Sequence, residues 1–262
     1  APALAGLLYG VLGLPGVLAV DLATFVVAVG VVSALAIPQP EPSREGASPD
    51  AVRRDLLSGL RHLRDRRGLL ELTLGIGLVY WLINGPLDLA IPYLTRLVHD
   101  ERTVGLLLAA MNLGALAGGA AVAMAPRIRR RVPLILLGFA LHGAMFVFLG
   151  LSRGEAALAS PGVLGAVLFA LMLPLTAIGA LYSTVVQGTT PPDLQGRVFA
   201  AAGQWFVLGT PLSFLLTGLL VDRVLEPAAS ADAWRWVAPV VGREAGAGMA
   251  LLLVVVGLLI LV

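Results

Sequence analysis

The chain has 262 residues, of which 58% are hydrophobic and 13% charged, with a mean hydropathy of +0.91. A soluble domain carries about 25% charge, so this composition excludes an ordinary water-soluble enzyme. All 18 basic residues are Arg, balanced by 16 acids to a net charge of +2, too little for a nucleic-acid-binding surface. Cysteine is absent and the three histidines, His62, His99 and His142, stand far apart. Disulfides, thiol chemistry and a zinc site are therefore not expected, and neither a metal nor a cofactor is implied.

A helix needs about 20 apolar residues to cross the hydrocarbon core, because backbone amides in lipid can satisfy only one another. Seven stretches qualify: Leu14–Ile37, Leu72–Leu94, Val104–Met124, Val132–Leu151, Val163–Gln187, Val198–Val221 and Ala245–Val262. The first holds one charge, Asp21, the second holds Asp88, and the other five hold none. Ala1–Leu12 is apolar but too short to cross, and reads as the end of a helix that begins upstream. The fold expected is all-α and membrane-embedded, with seven spans and a partial helix.

Between the first two spans lies the one long polar stretch, Pro38–Glu71. Its Pro-rich beginning should be extended, and Ser48-Pro49-Asp50 is a helix start. Val52, Leu56, Leu60 and Leu63 then recur at helical spacing opposite Arg54, Ser58, Arg61, His62 and Asp65, which predicts an amphipathic helix on the membrane surface. Three segments follow: 1–37, the 38–71 linker, and a 72–262 bundle. Alternate loops divide the arginines unequally. Arg44, Arg53, Arg54, Arg61, Arg64, Arg66, Arg67, Arg127, Arg129, Arg130, Arg131 and Arg197 share one side; Arg96, Arg102, Arg153, Arg223, Arg235 and Arg243 share the other. Positive charge stays inside, so the first side and the C-terminus are expected to be cytoplasmic.

In the second span, Pro86 lacks the amide that would bond Leu82, and Gly85 weakens the same turn, so a kink is predicted there. Trp81, Asn84 and Asp88 fall on one helical stripe beside Tyr80, an aromatic, an amide and a carboxylate suited to an amphiphilic or cationic solute. An ionisable side chain inside a span usually faces a protein interior or water, which makes Asp88 and Asp21 the candidate proton or cation sites. Gln204, beside Trp205, is a candidate lining residue; Gln187 should border water, and His142 should hold a neighbouring carbonyl as neutral imidazole. Gly114, Gly118, Gly119, Ala166, Ala170 and Gly179 should permit close helix contacts.

Several strings carry a resemblance. Gly6-Leu7-Leu8-Tyr9 with Val20-Asp21-Leu22-Ala23-Thr24-Phe25, Asp55-Leu56-Leu57-Ser58-Gly59-Leu60-Arg61-His62-Leu63-Arg64, and Pro192-Asp193-Leu194-Gln195-Gly196-Arg197-Val198-Phe199-Ala200 occur in the order of a transporter's fifth-to-sixth helix junction, central linker and tenth-to-eleventh loop. The chain thus resembles the second half of a major facilitator superfamily transporter, in the bacterial branch of macrolide and enterobactin exporters. The resemblance implies a twelve-helix secondary transporter that exports drug-like or siderophore-like small molecules, coupled to protons, by alternating access. Its partners would be the substrate, protons, the bilayer of a bacterial plasma membrane and an N-terminal helix bundle of the same transporter. It also implies cytoplasmic gate loops at Arg127, Arg129 and Arg130 and at Asp193 and Arg197. Pro126 stands where the family's gate motif carries its acid, and Arg129 where it carries a glycine. No phosphate loop and no nucleophile–base pair points to an enzyme; a scaffold or sensor with a transporter-derived fold is the alternative.

Overall fold

A computed structural model describes residues 2–35, 49–98, 100–125, 128–153 and 158–262, and the described residues form helices and turns without a strand. The chain divides into two compact units, Ala1–Arg54 and Asp55–Val262.

In the first unit, α1 runs over Pro2–Ala34 and is two helices joined at Gly13, whose φ of 64° and ψ of −178° only glycine adopts readily. The partial helix and the first span expected from the sequence meet at this residue. From Leu12 onward most side chains are exposed within the unit, including Asp21 and its apolar neighbours. The amphipathic helix, α2, runs over Pro49–Asp65.

The second unit holds the other spans. They are α3 (Arg67–Asp88) with α4 (Ala90–Val98), α5 (Glu101–Ala123), α6 (Arg131–Leu151), α7 (Pro161–Thr189), and α8 (Pro192–Leu208) with α9 (Thr210–Leu220). A π-helical turn (Val221–Leu225) continues α9 into α10 (Glu226–Ala228); a 3₁₀ turn (Asp232–Trp236), α11 (Ala238–Val241) and α12 (Ala247–Leu261) follow. Among the described residues, six helices are long and apolar enough to cross a membrane, α1 included. The seventh predicted span, Ala245–Val262, is shorter than expected. Gly246, at φ 100°, breaks the backbone there, so α12 begins at Ala247 and has 15 residues.

α3 runs through Gly85 and Pro86, where the kink is expected; the helical bonding lapses instead for one residue slightly later, at Leu89, whose φ of −69° and ψ of −12° stay helical. Pro86 lies within α3, and Pro92 has no amide for the carbonyl of Asp88, so the helix stops at Asp88 and restarts at Ala90. The amide of Gly85 donates to Ser213 Oγ of α9 at 2.8 Å.

Packing follows the smallest residues. α5 lies against α7 where a Cβ at Gly114 or Gly118 would fall 2.1 or 2.0 Å from the carbonyls of Phe169 and Leu173. α6 meets α12 through Gly143, Gly150 and Gly257. Gly119 has nothing near it, so it is no contact device, contrary to expectation: it sits 100° round the helix from Gly118. α2 also differs. Among its residues in the second unit, Gly59 and Leu63 are buried while Leu57 and Leu60 are exposed, and a Cβ at Gly59 would lie 2.3 Å from the carbonyl of Arg197. Glycine permits that approach, so Gly59 and Leu63, rather than Leu60, set the packed face.

Two cores result. One, at the Arg-rich end, joins Leu63, Ile76, Ile135, Ile178, Tyr182 and Val198; the other, at the opposite end, joins Ile83, Tyr93, Phe146, Leu164 and Leu253. At that opposite end Tyr93 Oη donates to the Leu149 carbonyl at 2.9 Å, and Glu226 accepts from the amide of Gly246 at 3.1 Å and faces Arg96 at 3.7 Å.

Candidate functional site

Three spans line a partly open cavity of about 290 Å³. Ile76 and Tyr80 of α3, Gly179, Tyr182 and Ser183 of α7, and Phe199, Ala202, Gly203 and Phe206 of α8 line it. On each helix these positions recur at spacings of three and four, which puts them on one face. Gly179 keeps the cavity open: a Cβ there would meet only the Tyr80 hydroxyl, at 3.9 Å.

The aromatic rings are set on edge to one another. Phe206 lies 5.6 Å from Tyr80 at 83° and 5.4 Å from Tyr182 at 67°, and Tyr80 lies 6.4 Å from Phe139 at 74°. Hydrogen bonds fix the hydroxyls. Thr73 Oγ1 donates to the Leu69 carbonyl at 2.7 Å, so the Tyr182 hydroxyl, 2.9 Å away, donates to Thr73. Ser183 Oγ donates to the Gly179 carbonyl at 2.9 Å. Among the described residues, no Asp, Glu, Arg, Lys or His lines the cavity.

The predicted stripe turns elsewhere. Trp81 donates to the Trp205 carbonyl at 2.9 Å and packs on Trp205, with ring centroids 4.0 Å apart, and on Gly209, where a Cβ would collide with it. Asn84 Nδ2 donates to Thr210 Oγ1 at 3.2 Å. Both therefore join α3 to the α8–α9 junction. Trp81 also borders a second groove of about 480 Å³ between α3, α9 and α12, whose lining is nearly all aliphatic. Asp88 is exposed at the end of α3 and makes no hydrogen bond or ion pair among the described residues. Asp21 is exposed in the first unit, where its carbonyl accepts from Thr24 at 2.8 Å. Gln204 is exposed on α8 and does not line the cavity.

Of the gate-loop residues, Arg127 lies outside the described residues, Arg129 and Arg130 are exposed before α6, Asp193 is exposed in the first turn of α8, and Arg197 is half-buried beside Gly59. Their neighbour Arg131 donates to the Thr184 carbonyl at 3.1 Å, tying α6 to α7. His142 is buried with Nδ1 2.7 Å from the Leu171 carbonyl, the bond expected of it. No group of three or more His, Cys, Asp or Glu suited to a metal occurs among the described residues.

The sequence reading named Tyr80 only as a neighbour and did not single out Tyr182, Phe199 or Phe206. A usable signal was present, since α7 and α8 each set aromatics among small residues at helical spacing, Gly179-Tyr182-Ser183 and Phe199-Ala202-Gly203-Phe206.

The profile of the Major Facilitator Superfamily matches residues 1–214. Macrolide efflux protein A of Streptococcus pyogenes is 25% identical over 225 residues, which cover 85% of this chain and 54% of that protein. Macrolide efflux protein A of Enterococcus faecalis is 24% identical over 213 residues, covering 80% and 64%. The chain thus spans about half to two thirds of the length of these curated relatives. No solved structure matches.

Proposed function

As the chain belongs to the Major Facilitator Superfamily, we propose that it forms the second half of a proton-coupled exporter of drug-like small molecules in a bacterial plasma membrane. The observation that carries this reading is the cavity between α3, α7 and α8, a compartment of rings with few free polar groups. Drug-sized ligands are held in clefts of about 300–1,000 Å³ lined by apolar and aromatic side chains. At about 290 Å³ the cavity takes one part of such a molecule, and a preceding helix bundle of the same transporter supplies the rest of the enclosure. The macrolide efflux relatives support export and a large amphiphilic solute.

Alternating access rocks one bundle against the other around a shared site. In this reading the Arg-rich end is cytoplasmic, so the cavity lies in the inner half of the membrane, where a solute from the cytoplasm or inner leaflet reaches it. Tyr80 is 13 residues into α3, about 20 Å along the helix axis at about 1.5 Å per residue. Asp88, about two turns further out beside the interruption at Leu89, serves as the proton-carrying carboxylate, with Asp21 as the second candidate. Arg129, Arg130, Asp193 and Arg197 border the inner entrance.

The test uses proteoliposomes containing both halves of the transporter. Gly179→Leu fills the cavity and should abolish saturable, gradient-driven macrolide efflux at normal protein level, and this chain alone should show none. Undiminished efflux by Gly179→Leu would remove the cavity from the transport path.

A further inference from the structure

We infer that this cavity is a receptor, free of acidic residues, for an alkylated ammonium group of the transported solute, held by the rings of Tyr80, Tyr182 and Phe206. The inference rests on the transport reading above and specifies which chemical group enters the cavity.

Three features lead to it. The first is concentration of rings: two of the chain's four Tyr and two of its eight Phe line one cavity of about 290 Å³. The second is their arrangement. Phe206 stands nearly perpendicular to Tyr80 and strongly inclined to Tyr182, at 83° and 67°. Rings crossed in this way form the corner of a box, and a cation in that corner meets more than one electron-rich face. Attraction between a cation and a ring face strengthens as water is excluded; Tyr80 and Phe206 are half-buried and keep surface for a solute, while Tyr182, only 4% exposed, backs them.

The third feature concerns hydration and selects the kind of cation. The polar side chains of the lining are the hydroxyls of Tyr80, Tyr182 and Ser183, the last two bonded to Thr73 and to the Gly179 carbonyl. A primary ammonium brings three N–H donors and a tight hydration shell, which rings and three hydroxyls replace poorly. A trimethylammonium brings none. Charge without donors is what this lining accommodates. The Tyr80 hydroxyl, at the cavity edge opposite Gly179, is left for a polar atom of the same solute. With no carboxylate in the lining, the ring faces must supply the attraction.

The experiment measures equilibrium binding to the complete transporter, both halves present, in detergent. Three naphthylpropyl probes differ only in the head group: trimethylammonium, its neutral tert-butyl isostere, and primary ammonium. The trimethylammonium probe should bind about tenfold more tightly than either of the others, the ratio that one moderate cation–π contact supplies. Phe206→Leu should remove most of that preference while changing tert-butyl binding less than about threefold. Tyr80→Phe keeps the ring face and should retain the preference. Because a Leu variant can perturb the fold, stepwise-fluorinated phenylalanine at position 206 serves as the second measurement. Each added fluorine drains the ring face and should weaken trimethylammonium binding in steps while leaving tert-butyl binding level. Equal losses for the charged and neutral probes, or a level fluorination series, would overturn the ammonium assignment and leave a purely apolar transport pocket. Binding of all three probes that ignores Phe206→Leu, Gly179→Leu and the fluorine series would overturn the transport reading of the cavity as well.

Discussion

Gly118→Ala tests how α5 and α7 are held together. In the native packing a Cβ at this position would lie 2.0 Å from the carbonyl oxygen of Leu173 and 2.5 Å from Thr176 Oγ1. Ordinary contact begins near 3.4 Å, so the helices must part locally by roughly 1.4 Å. The nearer atom belongs to backbone, which cannot rotate aside as a side chain would. Overpacking of this kind costs about 1–3 kcal/mol. Separation also strains the bond from Thr176 Oγ1 to the Ala115 carbonyl, 2.8 Å long, and interhelical bonds in membranes average about 0.6 kcal/mol. Alanine returns up to about 1 kcal/mol of helix propensity, which leaves a net loss of about 1–3 kcal/mol. At about 2–4 °C per kcal/mol for a chain of this size, the unfolding midpoint of the purified two-half transporter should fall by about 2–12 °C, read by tryptophan fluorescence on heating. Gly119→Ala is the control: with nothing within 4 Å of the new methyl, its midpoint should stay level or rise. If the two variants unfold together, the close approach of α5 and α7 is not what glycine serves here.

Asp88→Asn keeps shape and loses charge; in the complete transporter it should abolish efflux of a cationic dye driven by a pH gradient at matched protein level, and near-normal efflux would remove Asp88 from the coupling step. His142→Leu removes the bond to the Leu171 carbonyl and the edge contact with Phe146; stability should change by about 1 kcal/mol and the pH profile of transport should not move, whereas loss of one limb of that profile would make His142 a proton relay. Asp100 caps α5, accepting from the Thr103 hydroxyl and, at 2.9 Å, from the Thr103 amide, and these bonds hold its carboxyl below the usual Asp range. A lowered native value makes the cap fully stabilising above the unfolded pKa of about 3.9 and progressively lost as pH falls through the native value. The midpoints of wild type and Asp100→Ala should therefore differ at pH 7 and converge below about pH 3.9; a constant gap would refute the cap.

The spans were legible because lipid imposes length and hydropathy on a helix before any neighbour is chosen. The interruption between α3 and α4 was legible only roughly: α3 runs through Pro86, where the kink is expected, and the missing amide of Pro92 places it at Leu89 instead. What touches what was not. Tyr80 and Trp81 are adjacent aromatics 100° apart; only the position of α8 decides that Trp81 packs on Trp205 and Gly209 while Tyr80 faces the cavity. Gly118 and Gly119 pose the same choice, and so does the packed face of α2, where Gly59 counts for more than Leu60. The bond between Tyr182 and Thr73 joins residues 109 apart in sequence, beyond the reach of any helical periodicity. The carboxylates, by contrast, were easy to notice because charge is rare in these spans, and rarity in a string says nothing about which cavity a residue borders.

The π-helical turn at Val221–Leu225 carries about one residue more than an α-helical path of the same rise. Each residue of an α-helix advances about 100°, so the surplus turns everything beyond it by roughly that angle. Glu226 follows immediately, and its orientation toward the amide of Gly246 and toward Arg96 depends on that offset. Deletion of one residue from the turn would give a more regular helix and swing the carboxylate away from both partners. Insertion elsewhere in α9 would rotate Glu226 as badly while lengthening the span. This stretch therefore has a strict residue count even where it is indifferent to residue identity, and side chains there will prove easier to exchange than to add or remove.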